Sequence, residues 1–151
     1  MAATAARASD SAELLAAMAG GTVLGSLTIP GRPEHVHEAR AFAAKALGDL
    51  HFAALDNVVL LTSELVTNAV MHSKSRHHDG AVQVLITESE GGVRVEVSDQ
   101  GSELSAPVVR SEVFASDGHG LFLVQSIADQ WGYVRGDDGT TVWFWLASPP
   151  N

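Results

Sequence analysis

The chain has 151 residues, 46% of them hydrophobic and 18% charged, which suits one globular domain with a sizeable core and not a disordered segment. It contains no Cys, which excludes disulfides, thiol catalysis and Cys-based zinc sites, and fits the cytosol. Its net charge is −9 with only nine Lys and Arg, so nucleic acid is not an expected partner, because such binding rests on cations that neutralise phosphates.

Met1–Gly20 is Ala-rich but interrupted by Arg7, Asp10 and Glu13, and lacks the continuous apolar run of a signal peptide. It reads as a flexible tail or a short accessory helix around Glu13–Met18, ahead of a domain over 21–147. No stretch approaches the roughly 20 apolar residues that span a bilayer, so neither a membrane anchor nor a site outside the cytoplasm is expected.

Val23–Ile29 alternates and ends at Pro30-Gly31, which predicts a strand and a turn. Pro33 suits the first residue of a helix to about Leu47, with Gly48 as its C-cap. Leu55–Ser73 is the longest periodic segment, capped by Asp56 and apolar nearly all round, hence a buried helix. Beyond it lies a polar loop, Ser73–Gly80, with Lys74, Arg76, His77 and His78; no His spacing matches the usual zinc patterns.

Two alternating strands follow, with Val82, Val84 and Ile86 on one face of the first and Val93, Val95 and Val97 on one face of the second. Glu90-Gly91-Gly92 between them predicts a hairpin turn. Gln100–Asp117 is a long, weakly periodic loop of the kind that serves as a lid. Gly118–Gly120 opens a helix from Leu121 to about Gln130, and Trp131–Arg135 with Thr140–Leu146 forms a second hairpin. This order predicts an α+β fold: a two-layer sandwich with helices on one face of a mixed, largely antiparallel sheet.

Four features could carry chemistry. Glu64, Asn68 and His72 recur every fourth residue and form one stripe on an otherwise apolar helix. For Glu64 and Asn68 alone, the plainer reading is a helix edge in water or bonded to loops. The sharper reading is a cavity wall, where Asn68 could give an oxygen to Mg²⁺ and Glu64 could orient or deprotonate a nucleophile. Asp99 continues the core face of Val93, Val95 and Val97, either as a turn-forming cap or as an acceptor for an exocyclic amine such as that of adenine, with Gly101 admitting the ring. Gly118-His119-Gly120-Leu121 could turn free N–H groups toward an anion at a helix start, although many helices begin after Gly, and neither a dinucleotide fingerprint nor a P-loop is present. Thr141, opposite the face of Val142, Phe144 and Leu146, has the ordinary role of a strand Thr as its alternative.

Taken in order, "SELVTNAVMH" (Ser63–His72), "VSDQG" (Val97–Gly101), "DGHGL" (Asp117–Leu121) and "TTVWF" (Thr140–Phe144) resemble the GHKL (Bergerat-fold) ATP-binding superfamily over about Thr22 to Leu146. The Asn-x-x-x-His ending, the short lid and the stand-alone domain look most like the anti-sigma-factor serine kinases of bacteria, and the composition with "DQWG" (Asp129–Gly132) like small actinobacterial members.

The resemblance implies ATP and Mg²⁺ as ligands. Asn68 would hold Mg²⁺, Glu64 would be the general base, and Asp99 would accept from adenine, with Thr141 helping through water. Gly118 and Gly120, flanked by His119 and Leu121, would cradle the phosphates, and His72 would close the first motif. It also implies a sigma factor and an antagonist, anti-anti-sigma protein as partners. By analogy with dimeric relatives, the faces of Val23–Ile29 and Pro33–Leu47 are candidate homodimer surfaces. Two departures stand out. Glu103 occupies a position where many members carry Gly, and Ser116-Asp117 precedes the glycine turn where the kinases often carry a basic residue.

Overall fold

The computed structural model describes residues 21–48, 54–72, 80–99, 120–136 and 139–147, without the side chains of 72, 120–122, 135 and 136. In chain order the elements are β1 (Thr22–Pro30), a 3₁₀ turn (Pro33–His35), α1 (Val36–Gly48), α2 (Leu55–His72), β2 (Ala81–Ser89), β3 (Gly92–Asp99), α3 (Gly120–Ile127), β4 (Gln130–Gly136) and β5 (Gly139–Ala147). The strands form one sheet in the order β1-β2-β3-β5-β4. Every described pairing is antiparallel.

The α+β sandwich is therefore as expected, with three local corrections. Pro33 starts a single 3₁₀ turn and the α-helix proper begins at Val36. Arg32 is extended (φ −128°, ψ 145°), as the ring of a following proline demands. Asp56 lies inside the first turn of α2, while the carbonyl of Ala54 accepts the Val58 N–H at 3.0 Å, so Ala54 precedes the helix where Asp56 was expected to. Finally, α3 stops at Ile127, short of Gln130, because Asp129 is tied to β5: its N–H donates to the Trp145 carbonyl (3.1 Å) and its Oδ2 accepts from the Ala147 N–H (2.8 Å).

The core lies between the helices and one face of the sheet. Ala39, Ala43 and Leu47 of α1, and Val58, Leu61, Leu65, Val66, Ala69 and Val70 of α2, meet Val82, Val84, Ile86, Val93, Val95, Val97, Phe144 and Leu146. The helical residues recur at steps of three and four and the strand residues at steps of two, so each element contributes one face. Among the described residues no helix is long and apolar enough to cross a membrane.

Candidate functional site

The stripe expected on α2 sits beside its buried face. Val58, Leu61, Leu65 and Val66 are buried, whereas Glu64 and Asn68 are half-buried and so flank the core without entering it. The Nδ2 of Asn68 is buried and has no hydrogen-bond partner among the described residues. Stranding an amide group costs about 1–3 kcal/mol, so a partner at this point would be favourable. Rotating the carboxamide exchanges its nitrogen for its oxygen and gives either a donor or the hard oxygen ligand that Mg²⁺ prefers. His72 ends α2, and its side chain lies outside the described residues.

Asp99 closes β3 on the face of Val93, Val95 and Val97, because strand side chains alternate. Its Cα partner on β5 is Thr140, which is 5% exposed. Thr141 pairs with Ser98 on the opposite face, where the two hydroxyl oxygens are 2.8 Å apart. Thr141 thus lies opposite the face of Val142, Phe144 and Leu146, as expected, and Thr140 is the member of the Thr-Thr pair that shares the face of Asp99. Strand parity puts Thr140 on this face, in phase with Val142, Phe144 and Leu146, and the register of β3 against β5 places it opposite Asp99.

The C-terminal half of α2 and the end of β3 lie toward the same end of the sheet. Pro30 pairs with Ala81 and Gln83 with Ser98, so the end of β1, the start of β2 and the end of β3 are neighbours. Val70 and Met71 of α2 line a cleft with Gly31–Glu34, which directly follow β1. Gly120 begins α3. Gly101, Gly118 and His119 lie outside the described residues, as does the expected lid over 100–117. A second cleft of about 580 Å³ runs along Thr28–Pro30, Arg32, Glu34, His35, Gly80 and Ala81. Neither cleft is lined by Glu64, Asn68 or Asp99, whose expected pocket would draw its remaining wall from residues that are not described.

The family model for the histidine kinase-like ATPase domain matches residues 29–146. The chain belongs to this family. Its membership brings a GHKL-type ATP-binding domain to the sandwich described above. Among similar proteins is a serine-protein kinase RsbW of Listeria monocytogenes serovar 1/2a, 27% identical over 119 residues, covering 69% of this chain and 74% of that protein. The RsbW of Listeria innocua serovar 6a is 26% identical over the same length and coverage. Among solved structures, one of the RsbU and RsbW domains of a Mycobacterium tuberculosis protein superposes with a TM-score of 0.58 at 21% identity, over 82% of this chain and 32% of that longer one. That likeness supports the shared fold.

Proposed function

We propose that this protein binds ATP with Mg²⁺ and acts in the cytoplasm as a serine kinase of the anti-sigma type, with a sigma factor and an antagonist protein as partners and no nucleic acid. The observation that carries ATP binding is the pairing of Asp99 with buried Thr140 on the helix-covered face, within a chain of this family. Asp99 accepts the adenine amine, and Thr140 stands close enough to share a bridging water. Asn68 holds Mg²⁺, a role that suits a buried amide still lacking a partner. Mg²⁺ supplies charge neutralisation at the phosphates. Glu64, four residues before Asn68 on the same stripe, takes the proton of the incoming serine hydroxyl as its oxygen bonds to the γ-phosphorus and the bond to ADP breaks. Gly101, Gly118, His119, Gly120 and Leu121 complete the phosphate end, and the two-layer domain works as a homodimer through β1 and α1. The likeness to RsbW proteins, which are serine-protein kinases by name, supports this reading.

A second reading keeps ATP as a conformational ligand without transfer. It is favoured by Glu103 and Asp117, acids flanking the expected triphosphate position.

Calorimetric titration with ATP and Mg²⁺ tests the shared claim: micromolar binding is expected, weakened at least about tenfold in Asp99→Asn, the loss of one charge-assisted hydrogen bond. Absence of binding in the unsubstituted chain defeats both readings. Labelled ATP with candidate antagonists then separates them. Transfer abolished in Glu64→Ala while binding persists supports the kinase; binding with no transfer to any antagonist favours the conformational ligand.

A further inference from the structure

The face of the sheet away from the helices carries a buried patch that the core does not account for. Leu85 and Thr87 are 5% and 1% exposed. They point away from Val84 and Ile86, as alternate residues of a strand must. Leu85 is the one buried apolar residue among those described that lies outside the core cluster. The cross-strand neighbours of Leu85 and Thr87 lie on β1 and β3. On β1 these are Ser26 and Val23, both exposed, Val23 to 39%. On β3 they are Glu96, its side chain 15% exposed, and Arg94, which donates to Glu96 at 3.5 Å and holds its guanidinium 4.1 Å over the Trp143 ring, on the β5 side. Trp145 of β5 crosses this face at the hairpin end, over Gly92 to the Ser89 carbonyl; a leucine this buried in mid-sheet beside an exposed serine calls for a further layer, and none of the described helices lies on this face.

We infer that the outer face over Leu85 and Thr87 is the docking surface for the chain's own N-terminal segment, residues 11–19. The segment reaches the patch from the correct end. β1 starts at Thr22, opposite Glu88, and Val23 lies opposite Thr87. The other long segment outside the described residues, 100–119, leaves the sheet at Asp99, the far end of β3 from the partner of Thr87, Arg94. Gly20-Gly21 permits the reversal of direction needed to bring the segment back over the sheet. Ala19 and Gly20 together extend about 7 Å. One strand spacing, from β1 to β2, is about 4.8 Å, so Met18 can reach Thr87. In the sequence Ser11–Ala19, Leu14 and Met18 are four apart and Leu15 and Met18 three, so the three share one helical stripe that can cover an apolar patch. The inference does not depend on the nucleotide reading.

The Cys-free chain allows a direct test with the full-length protein. Thr87→Cys places a single, nearly isosteric thiol on the patch, and Leu85→Cys is the second probe should the first fail to fold by far-UV circular dichroism. The thiol is expected to react slowly with a disulfide reagent. Adding Leu14→Asp with Leu15→Asp is expected to speed the reaction at least about tenfold, the factor corresponding to lost burial of one leucine. Rapid labelling before the Asp substitutions, or equally slow labelling after them, overturns the assignment. Protection that fades on dilution also overturns it, because a second copy would then be the cover.

Discussion

Asn68 and Thr62 of α2 each carry a buried polar atom without a partner among the described residues, Nδ2 in one case and Oγ1 in the other. Only Asn68 belongs to the proposed ligand stripe, so the two should part company on substitution. Thr62→Val replaces a fully buried hydroxyl with a methyl of the same shape and is expected to raise stability by about 1 kcal/mol without changing nucleotide affinity. Asn68→Ala is expected to leave stability unchanged or raise it by up to about 1–2 kcal/mol, since it removes a stranded amide and installs a stronger helix former. Its affinity for ATP with Mg²⁺ should nevertheless fall. Urea denaturation and calorimetry on the same variants check both halves; a marked loss of stability in Asn68→Ala would assign the amide a structural role. The sequence showed the Glu64–Asn68 stripe by its four-residue spacing. Which of its atoms would be buried without a partner depended on how α2 is rotated against the sheet.

The β2–β3 hairpin was legible as an element, with its turn at Glu90-Gly91 and Gly92 taken into β3. Ser89 pairs with Gly92, leaving Glu90 (φ 52°) and Gly91 (φ 75°) as the two-residue loop, and positive φ at both central positions gives a twist that matches the flanking strands. Glu90 is strained there, because a Cβ disfavours this region. Glu90→Asn is therefore expected to stabilise the domain by about 0.5–1 kcal/mol, as an Asn-Gly turn tolerates the conformation, and the shift should appear in the urea midpoint with an unchanged slope. Gly92 answers a different need. A Cβ there would come within 2.7 Å of the Trp145 ring, which lies across it to donate from Nε1 to the Ser89 carbonyl at 3.0 Å. That contact joins β5 to the end of β2 and could not be read from the local Glu-Gly-Gly pattern. The limit of α3 lies beyond the local pattern for a similar reason: Asp129 is held by β5, a strand that begins ten residues later.

At the scale of the molecule, the described helices hold one face of the sheet, and among the described residues Phe144 is the largest fully buried side chain. Phe144→Ala is expected to cost about 3–5 kcal/mol, a large share of the roughly 5–15 kcal/mol typical of a domain, and to lower the urea midpoint in a single transition. Val95 and Trp131, its cross-strand neighbours, would lose packing together.

The sequence by itself determined the number and type of most elements, the inward face of each strand and the order of the family motifs, because periods of two and of three to four are written locally in the side chains. The tertiary structure decided what local pattern cannot encode. The chain returns after β3 to place β5 beside β3 and β4 at the edge, and that register sets Thr140, not Thr141, opposite Asp99. It likewise left Leu85 buried on a face where the alternation of β2 alone gave no reason to expect a second layer. Strand pairing between distant segments selects these neighbours, and no single segment contains the information that fixes it.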